Sequence, residues 1–198
     1  QYSMISNEDT IIDIGGNYGW YALHLSSKFA SSKIYSFEPI PKTYETFLRN
    51  IELNKSKNII VNNFGLSDSA GSFSFFYDTN LSVNASLNNV SESDSAIEIK
   101  CNVETLDNYV LSQGITKIDF IKCDIEGAEL FALRGALNSI SKFKPKLFIE
   151  MLRKWTSKFN YKPDDIIRFL KDLGYLCFVI QNQKLIEIKN VTEQTIET

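Results

Sequence analysis

The sequence lacks any long apolar run: no stretch of its 198 residues approaches the roughly 20 apolar residues that a helix needs to span a bilayer. It also lacks internal repeats, and its length fits one domain over residues 1–198 that is large enough to bury a substantial core. With 43% hydrophobic and 23% charged residues, its composition is that of a globular protein. We therefore expect a single soluble domain without a membrane span.

A basic excess is missing as well. Lys and Arg number 21 against 24 Asp and Glu, which gives a net charge of −3. Proteins that bind the phosphate backbone of nucleic acids normally carry a clear excess of positive charge. We therefore expect no nucleic-acid partner.

Cysteine and histidine are scarce. The three cysteines, Cys101, Cys123 and Cys177, lie far apart without C-x-x-C spacing, and this pattern predicts reduced, buried thiols. The single histidine, His24, falls about a turn and a half into the first predicted helix. A base at that depth would lie beyond a ligand bound at the start of the helix, so we expect a packed or surface histidine.

Apolar runs of strand length alternate with segments of helical period along most of the chain. This alternation is typical of a doubly wound α/β fold, in which helices cover both faces of a mostly parallel sheet. The pattern predicts strands at 10–14, 33–37, about 58–64, about 118–123 and 146–152, and helices at about 18–30, 41–54, about 128–141 and about 163–173.

The remaining segments suggest antiparallel structure. Two stretches of alternating hydrophobicity, 72–77 and 97–103, are predicted strands, and the polar stretch 78–95 between them is a predicted loop insertion. The last two apolar runs, "YLCFVIQ" and "KLIEIKN", are joined through Asn182 and Gln183. So short a connection favours a C-terminal antiparallel hairpin.

A glycine-rich segment, "DIGGNYGW" at 13–20, lies between the first strand and the first helix. Open α/β sheets bind ligands at this place, where the helix N-terminus presents free amides. Gly15 and Gly19 allow turn dihedrals and a close approach of a ligand. The register is D-x-G-x-N-x-G, with Asn17 in the centre, and differs from the G-x-G-x-x-G of dinucleotide-binding proteins.

Two acidic residues indicate which ligand this loop takes. Asp13, at the end of the first strand, would repel a pyrophosphate but suits a ligand with an ammonium and a sulfonium group. Glu38, in "SFEP" at the end of the second strand, can accept both hydroxyls of a ribose. These features predict S-adenosylmethionine as the ligand. The alternative is a tight turn beside an exposed strand end, with no ligand.

The segment "KCDIEGAEL", 122–130, places three carboxylates directly after the fourth predicted strand. Asp124 lies beside the expected position of the transferable methyl group, and it is the best candidate for orienting or deprotonating an acceptor, with Glu126 as its assistant. In the alternative interpretation Asp124 or Glu126 caps the following helix, while Glu129 stabilises its positive end. Lys122 either neutralises this cluster, contacts an anionic acceptor or is solvated. Carboxylates alone are weak evidence for a metal ion, and we predict none.

Six segments together resemble the FkbM-type methyltransferases, over about residues 9 to 152. They occur in the family's order: "DIGGNYGWYAL", "FEPIPKTYETFLRN", "NFGLSDSAG", "VETLDNYV", "IDFIKCDIEGAELFALRGA" and "KLFIEML". The glycine loop is common to class I methyltransferases, whereas the Lys-x-Asp-x-Glu-Gly-x-Glu block is specific to this family. The resemblance implies a seven-stranded class I methyltransferase fold, S-adenosylmethionine as donor and, usually, transfer to a hydroxyl oxygen of a sugar, a lipid-linked glycan or a secondary metabolite.

The resemblance also assigns residues. It implies that the loop holds the methionine end of the donor, Glu38 the ribose, and Leu66 the adenine. The donor-binding residues that we predict are Asp13, Gly15, Gly16, Asn17, Gly19, Glu38, Pro39, Leu66 and Asp124. Two departures stand out: many relatives carry Ala where this chain has Gly16, and often a His shortly after the acid that matches Glu150. Here Met151, Leu152 and Arg153 follow instead, which argues against a base near Glu150.

The leading hypothesis is a cytoplasmic S-adenosylmethionine-dependent O-methyltransferase acting on a sugar, glycan or secondary metabolite. The alternative is a catalytically silent donor-binding module or a domain of a larger biosynthetic protein. A nicotinamide-dependent reductase is a third, weaker hypothesis, because the dinucleotide register is missing. The acceptor pocket is predicted from 152–155 and the loop 78–95, with Asn84 and Ser86 as its polar groups.

Overall fold

The computed structural model describes residues 4–78, 85–86 and 96–191, and only the backbone of 76–78, 85–86 and 96–97. The predicted loop 78–95 therefore lies almost wholly outside the described residues. The same holds for Asn84 and for the side chain of Ser86, so their predicted contact with an acceptor stays a prediction.

Five parallel strands form the central sheet, in the order β3-β2-β1-β8-β9. Their bounds are Thr10–Ile14 (β1), Lys33–Phe37 (β2), Ile59–Asn62 (β3), Phe120–Cys123 (β8) and Lys146–Ile149 (β9). The order reverses at β1, whose last residue, Ile14, lies in register with Phe37 on one side and with Cys123 on the other. The segments that follow these three strands therefore meet at one edge of the sheet, where open α/β sheets bind their ligands.

Helices cover both faces of this sheet. They are Trp20–Lys28 (α1), Pro41–Asn54 (α2), Leu106–Ser112 (α3), Glu129–Arg134 (α4), Leu137–Phe143 (α5), Arg153–Thr156 (α6) and Pro163–Asp172 (α7). Alternate residues of β1 face opposite sides: Ile11 packs in a cluster with α1 and α2, and Ile12 in the larger cluster with α3, α4, α5 and α7. The doubly wound α/β arrangement is confirmed. None of the helices among the described residues has the length and apolar character needed to cross a bilayer.

The helix predicted at 128–141 is two helices, α4 and α5, separated at Gly135 and Ala136. Gly135 packs against the backbone of Ser67, and a side chain at Gly135 would collide with the Ser67 carbonyl oxygen. The sequence analysis also missed α3, a helix of 7 residues. Its N-terminal signal is Thr105, whose hydroxyl accepts the Asn108 N–H at 3.1 Å.

A second sheet contains four strands in the order β4-β7-β5-β6. They are Gly65–Leu66 (β4), Gly71–Asp78 (β5), Ala85–Ser86 (β6) and Ala96–Glu104 (β7). Strands β5 and β7 pair in antiparallel fashion from Gly71 opposite Val103 to Asp78 opposite Ala96, and they occupy the two segments of alternating hydrophobicity. Through Leu66 and Phe75 this sheet reaches the edge at which β1, β2 and β8 end.

The C-terminal hairpin is confirmed, with strands Cys177–Gln181 (β10) and Lys184–Ile188 (β11). Its two turn residues, Asn182 and Gln183, both have positive φ (49° and 62°), as a tight hairpin turn with the twist of its strands requires. Within the described residues β10 and β11 pair only with each other. The central sheet therefore has five described strands, and the expected count of seven is not confirmed.

The cysteines form no disulfide: Cys101 and Cys123 are buried, and Cys177 is half-buried. Burial raises the pKa of Cys101 to about 11 and raises that of Cys123 as well. These thiols therefore stay protonated at neutral pH and pack as small apolar groups.

Candidate active site

A cleft of about 730 Å³ opens where β1, β2 and β8 end. Every predicted site residue except Asp13 and Gly19 lines it. These lining residues are Gly15, Gly16, Asn17, Glu38, Pro39, Leu66, Asp124 and Glu126. The fold thus brings to one cavity residues that are more than 100 positions apart in the sequence.

The glycine loop is fixed by the strand next to it. The N–H groups of Gly15 and Gly16 both donate to the Phe37 carbonyl oxygen, at 3.1 and 2.9 Å. Gly15 and Gly19 have φ of 81° and 87°, values that other residues adopt only with strain. A side chain at Gly15 would collide with the backbone of Asp124, and one at Gly19 with the Phe47 ring. The sequence predicted that these two glycines allow a ligand to approach closely. In the structure, parts of the protein itself approach them: the Asp124 backbone at Gly15 and the Phe47 ring at Gly19.

Glu38 links this loop to the end of β2. Its carboxylate is buried, and its two oxygens accept the backbone N–H groups of Asn17 and Ile40, each at 2.9 Å. Burial raises the pKa of Glu38 to about 7, although the two amide hydrogen bonds and Lys122 act in the opposite direction. A carboxylate oxygen can accept more than one hydrogen bond, so Glu38 can hold the loop and still accept hydroxyl groups from the cleft.

Lys122 lines the cleft, and its partner Asp13 is buried behind it. Asp13 is completely buried, accepts the Ser36 hydroxyl at 2.7 Å and pairs with Lys122 at 3.5 Å. Lys122 Nζ also donates to the Gly15 carbonyl oxygen at 2.8 Å and pairs with Asp124 at 3.7 Å. Burial lowers the pKa of Lys122, but Asp13 and Asp124 outweigh that effect and leave the pKa above its usual value.

Two expectations change with this geometry. Asp13 does not line the cleft and therefore does not contact a ligand there; its oxygens face Ser36 and Lys122, and Lys122 is the member of the pair that lines the cleft. Lys122 is only 7% exposed, which excludes the solvated lysine and agrees with the interpretation that it neutralises the acidic cluster.

The carboxylates of the acidic segment after β8 differ in their exposure to solvent. Asp124 projects into the cleft and its side chain is 45% exposed. Glu129 is only 2% exposed, begins α4 and accepts the N–H groups of Ile125 and Gly127 at 3.0 and 3.1 Å. Glu129 therefore holds the turn that presents Asp124 and Glu126, in agreement with its expected role in the fold.

Tyr161 completes that turn, and its hydroxyl contacts the Gly127 carbonyl oxygen at 2.7 Å and Glu129 Oε2 at 3.2 Å. We expect Tyr161→Phe to lower the free energy of unfolding by about 1–3 kcal/mol, because it leaves buried acceptors with fewer donors. Urea unfolding measures this loss, and Tyr44→Phe, at a half-buried tyrosine of α2, serves as the control. A Tyr161→Phe variant as stable as the control would contradict this role.

Glu126 and Glu150 both line the cleft. Burial, followed by the charges of Asp124 and Glu150, raises the pKa of Glu126 to about 7. Glu126 has a φ of 53°, in the left-handed region, and this backbone turn directs the segment from β8 into α4. Within the described part of the chain, no three His, Cys, Asp or Glu side chains are arranged to hold a metal ion.

Aromatic residues surround the mouth of the cleft. Trp20 at the start of α1 is 83% exposed, and Trp155 in α6 is covered by the Lys154 ammonium, 4.3 Å from its ring centroid. His24 is exposed, stacks with Trp20 and lies outside the cleft, in agreement with its predicted surface position. The sequence analysis predicted a role for 152–155 but missed Trp20, whose only signal is a large aromatic residue directly after the glycine loop.

Comparison with known proteins shows which family the sequence is similar to. The family model described as "Methyltransferase FkbM domain" matches residues 13–177. The chain is 30% identical over 153 residues to Methyltransferase sdnD of Sordaria araneosa, covering 63% of this chain and 59% of that protein. It is 29% identical over 133 residues to Hexuronic acid methyltransferase AglP of Haloferax volcanii, covering 67% of this chain and 52% of that protein. The chain thus spans little more than half the length of these relatives.

Solved structures share the fold at low sequence identity. An rRNA methylase from Streptococcus thermophilus superposes with a TM-score of 0.51 and 11% identity, over 92% of this chain and 82% of that one. A SAM-dependent methyltransferase from Aquifex aeolicus gives 0.50 and 14%, over 92% and 80%. The family model runs from the strand before the glycine loop, through the cleft, into the final hairpin. The chain therefore belongs to the FkbM methyltransferase family.

Proposed function

We propose that this chain is an S-adenosylmethionine-dependent methyltransferase that transfers a methyl group to a hydroxyl oxygen of a sugar, glycan or secondary metabolite. The observation that carries the proposal is the meeting of three strand ends around one cleft, with Gly15 after β1, Glu38 after β2 and Asp124 after β8. Each of these positions offers a different kind of contact to a ligand.

The charges of the cleft fit a cationic donor. Glu38, Asp124 and Glu126 all line it, and such a wall repels a pyrophosphate but attracts an ammonium or a sulfonium group. S-adenosylmethionine supplies a methyl group activated by its sulfonium. Gly15, Gly16 and Asn17 hold the methionine end, with Gly19 shaping their loop and Asp13 acting through Lys122. Glu38 binds the ribose, while Pro39 and Leu66 enclose the adenine.

In the reaction the protein aligns the acceptor and removes the proton of its hydroxyl group. Methyl transfer is an in-line displacement, so the alignment of the reacting groups supplies much of the acceleration. Asp124 is held by Lys122 at the cleft surface and orients the acceptor hydroxyl. Glu126, which also lines the cleft, assists Asp124.

Several observations support a sugar-like acceptor. Trp20 offers an exposed aromatic ring beside the cleft, and carboxylates can accept hydrogen bonds from several hydroxyl groups. One relative is a hexuronic acid methyltransferase. The net charge of −3 supports a small molecule or glycan over a nucleic acid, and the availability of the donor supports a cytoplasmic reaction.

The donor assignment is tested by Glu38→Ala. We expect the variant to bind S-adenosylhomocysteine about 10- to 100-fold more weakly, the scale of hydrogen bonds to a charged group. Isothermal calorimetry measures the affinity, and Glu52→Ala, an exposed glutamate of α2, controls for the lost charge. An unchanged affinity would show that Glu38 does not bind the ribose.

The acceptor assignment is tested by mass spectrometry on a panel of glycans and polyhydroxy metabolites, with a mass gain of one methyl group as the expected product. Binding of the donor without turnover of any acceptor would favour a catalytically silent module instead. Binding of NADH in a fluorescence titration would favour a reductase.

A further inference from the structure

Glu150 and Asp124 occupy equivalent places on neighbouring strands. Each is the first residue after its strand, β9 and β8, and the preceding pair, Cys123 and Ile149, is in register. The Glu150 N–H donates to the Cys123 carbonyl oxygen at 3.0 Å, so the pairing of the two strands extends to Glu150. Both side chains line the cleft, and Asp124 is close enough to Glu150 to raise the pKa of its carboxyl group.

Two carboxyl groups at neighbouring strand ends can share one proton, because ionising both brings like charges together, and the surroundings decide which group holds it. Asp124 pairs with Lys122, which is fixed from below by Asp13 and by the Gly15 carbonyl oxygen. The cation that lowers the pKa of Glu150 is Lys154, an exposed residue of the short helix α6. Burial, followed by the charge of Asp124, raises the pKa of Glu150 to about 7. The shared proton therefore resides on Glu150 and exchanges near neutral pH.

We propose that Glu150 is the catalytic base of this site, and that Asp124 is its hydrogen-bonding partner. The inference rests on the proposed methyltransferase function and deepens it. The acceptor oxygen forms a bond to the donor's methyl carbon, the carbon–sulfur bond breaks with its electron pair left on sulfur, and Glu150 takes up the hydroxyl proton and later releases it to solvent.

The sequence argued against a base at this position, because Met151, Leu152 and Arg153 follow Glu150 without a histidine. The structure supplies a partner from the neighbouring strand, since Asp124 ends β8 beside Glu150 and raises its pKa. A carboxyl group with a pKa near the working pH accepts a proton readily and returns it quickly.

The pKa of Glu150 depends on the charges around it and therefore also on the charge of a bound donor. It is faced by Asp124 and Lys122 from β8 and its end, by Glu126 and Glu129 from the acidic turn, and by Lys154 from α6. A sulfonium in the cleft adds a positive charge, which lowers the pKa of Glu150 and releases its proton. S-adenosylhomocysteine carries a neutral sulfur and leaves the proton in place. The donor therefore converts Glu150 into its basic form before transfer.

Glu150→Gln keeps a side chain that can hydrogen-bond Asp124 but removes the base. With the acceptor found by the screen, we expect kcat to fall about 100- to 1,000-fold and the KM for the donor to change less than about tenfold. The wild-type kcat/KM for the donor, which reports the donor-free enzyme, should rise with pH through the neutral range, and this rise should be absent in the variant. Glu52→Gln should behave like the wild type. Full activity of Glu150→Gln would overturn the proposal.

A second measurement does not need an acceptor. Calorimetric titrations with S-adenosylmethionine and S-adenosylhomocysteine, each in phosphate and in Tris at pH 7, give the number of protons released on binding. We expect the donor to release about 0.4 proton more than the product, the change for a pKa that falls from about 7 by about one unit.

The outcomes separate the two proposals. A difference between donor and product that is present in the wild type and in Glu52→Gln, and lost in Glu150→Gln, supports the base assignment. The same difference in Glu150→Gln overturns it and assigns the proton to another group such as Glu126. If neither compound binds the wild type, the proposed function itself fails, and the base assignment fails with it.

Discussion

Lys122→Met is expected to lower the free energy of unfolding by about 3–5 kcal/mol, because it removes the cation that neutralises a completely buried carboxylate. Asp13 is 0% exposed, and Lys122 is the one cation paired with it among the described residues. The same ammonium also binds the Gly15 carbonyl oxygen and Asp124. Its loss should therefore loosen the glycine loop together with the acidic turn.

Urea unfolding followed by circular dichroism measures this change in stability. The matched control is Lys117→Met, which breaks an ion pair of 3.2 Å between Lys117 and Asp119, where the lysine side chain is 53% exposed. An exposed pair contributes at most about 1 kcal/mol. The double variant Asp13→Asn with Lys122→Met should recover part of the lost stability, because it leaves no charge buried without a partner. If Lys122→Met and Lys117→Met are equally stable, the buried pair does not have the role described here.

Gly15→Ala is expected to abolish measurable binding of S-adenosylhomocysteine and to lower the free energy of unfolding by more than about 2 kcal/mol. The positive φ of 81° alone strains an alanine by roughly 1–2 kcal/mol. The added methyl group would also collide with the Asp124 carbonyl oxygen and come within 2.8 Å of the Ile125 side chain. Relief of the collision must move the ends of β1 and β8 apart, and with them the two sides of the cleft.

Gly114→Ala separates the two effects. Gly114 also has a positive φ, of 61°, but a methyl group there would meet nothing within 4 Å. This control should lose only the strain of roughly 1–2 kcal/mol and keep its affinity for S-adenosylhomocysteine. Equal affinities of Gly15→Ala and Gly114→Ala in calorimetry would show that the contact with Asp124 does not shape the donor site.

The elements set by local pattern were predicted well. Helix α2 begins at Pro41 and ends at Asn54, as the spacing of its apolar residues and its N-terminal proline indicate, and the hairpin turn lies at Asn182 and Gln183. What the sequence could not reveal depends on contacts between distant segments. The break between α4 and α5 arises because Gly135 meets the backbone of Ser67, and no periodicity records that contact.

In the candidate site, too, the features set by local pattern could be predicted and those set by contacts between distant segments could not. The glycine loop, Glu38 and Asp124 could be placed at one edge from strand order alone, because parallel strands align their carboxyl ends. The direction of each side chain could not be placed in this way. Asp13 turns inward to Ser36 and Lys122, and Glu150 gains its partner only because β9 lies beside β8. Both features depend on register across the sheet.

The Phe47 ring has a consequence for how this loop can vary between sequences. It is completely buried in α2, and side chains at Gly16 or Gly19 would enter the space that it fills. Position 16 is also blocked by the Ser36 hydroxyl. A sequence that carries alanine at position 16 must therefore have smaller or displaced side chains at both position 36 and position 47. Because the three positions, on a loop, a strand and a helix, share one space, we expect substitutions at them to occur in combination.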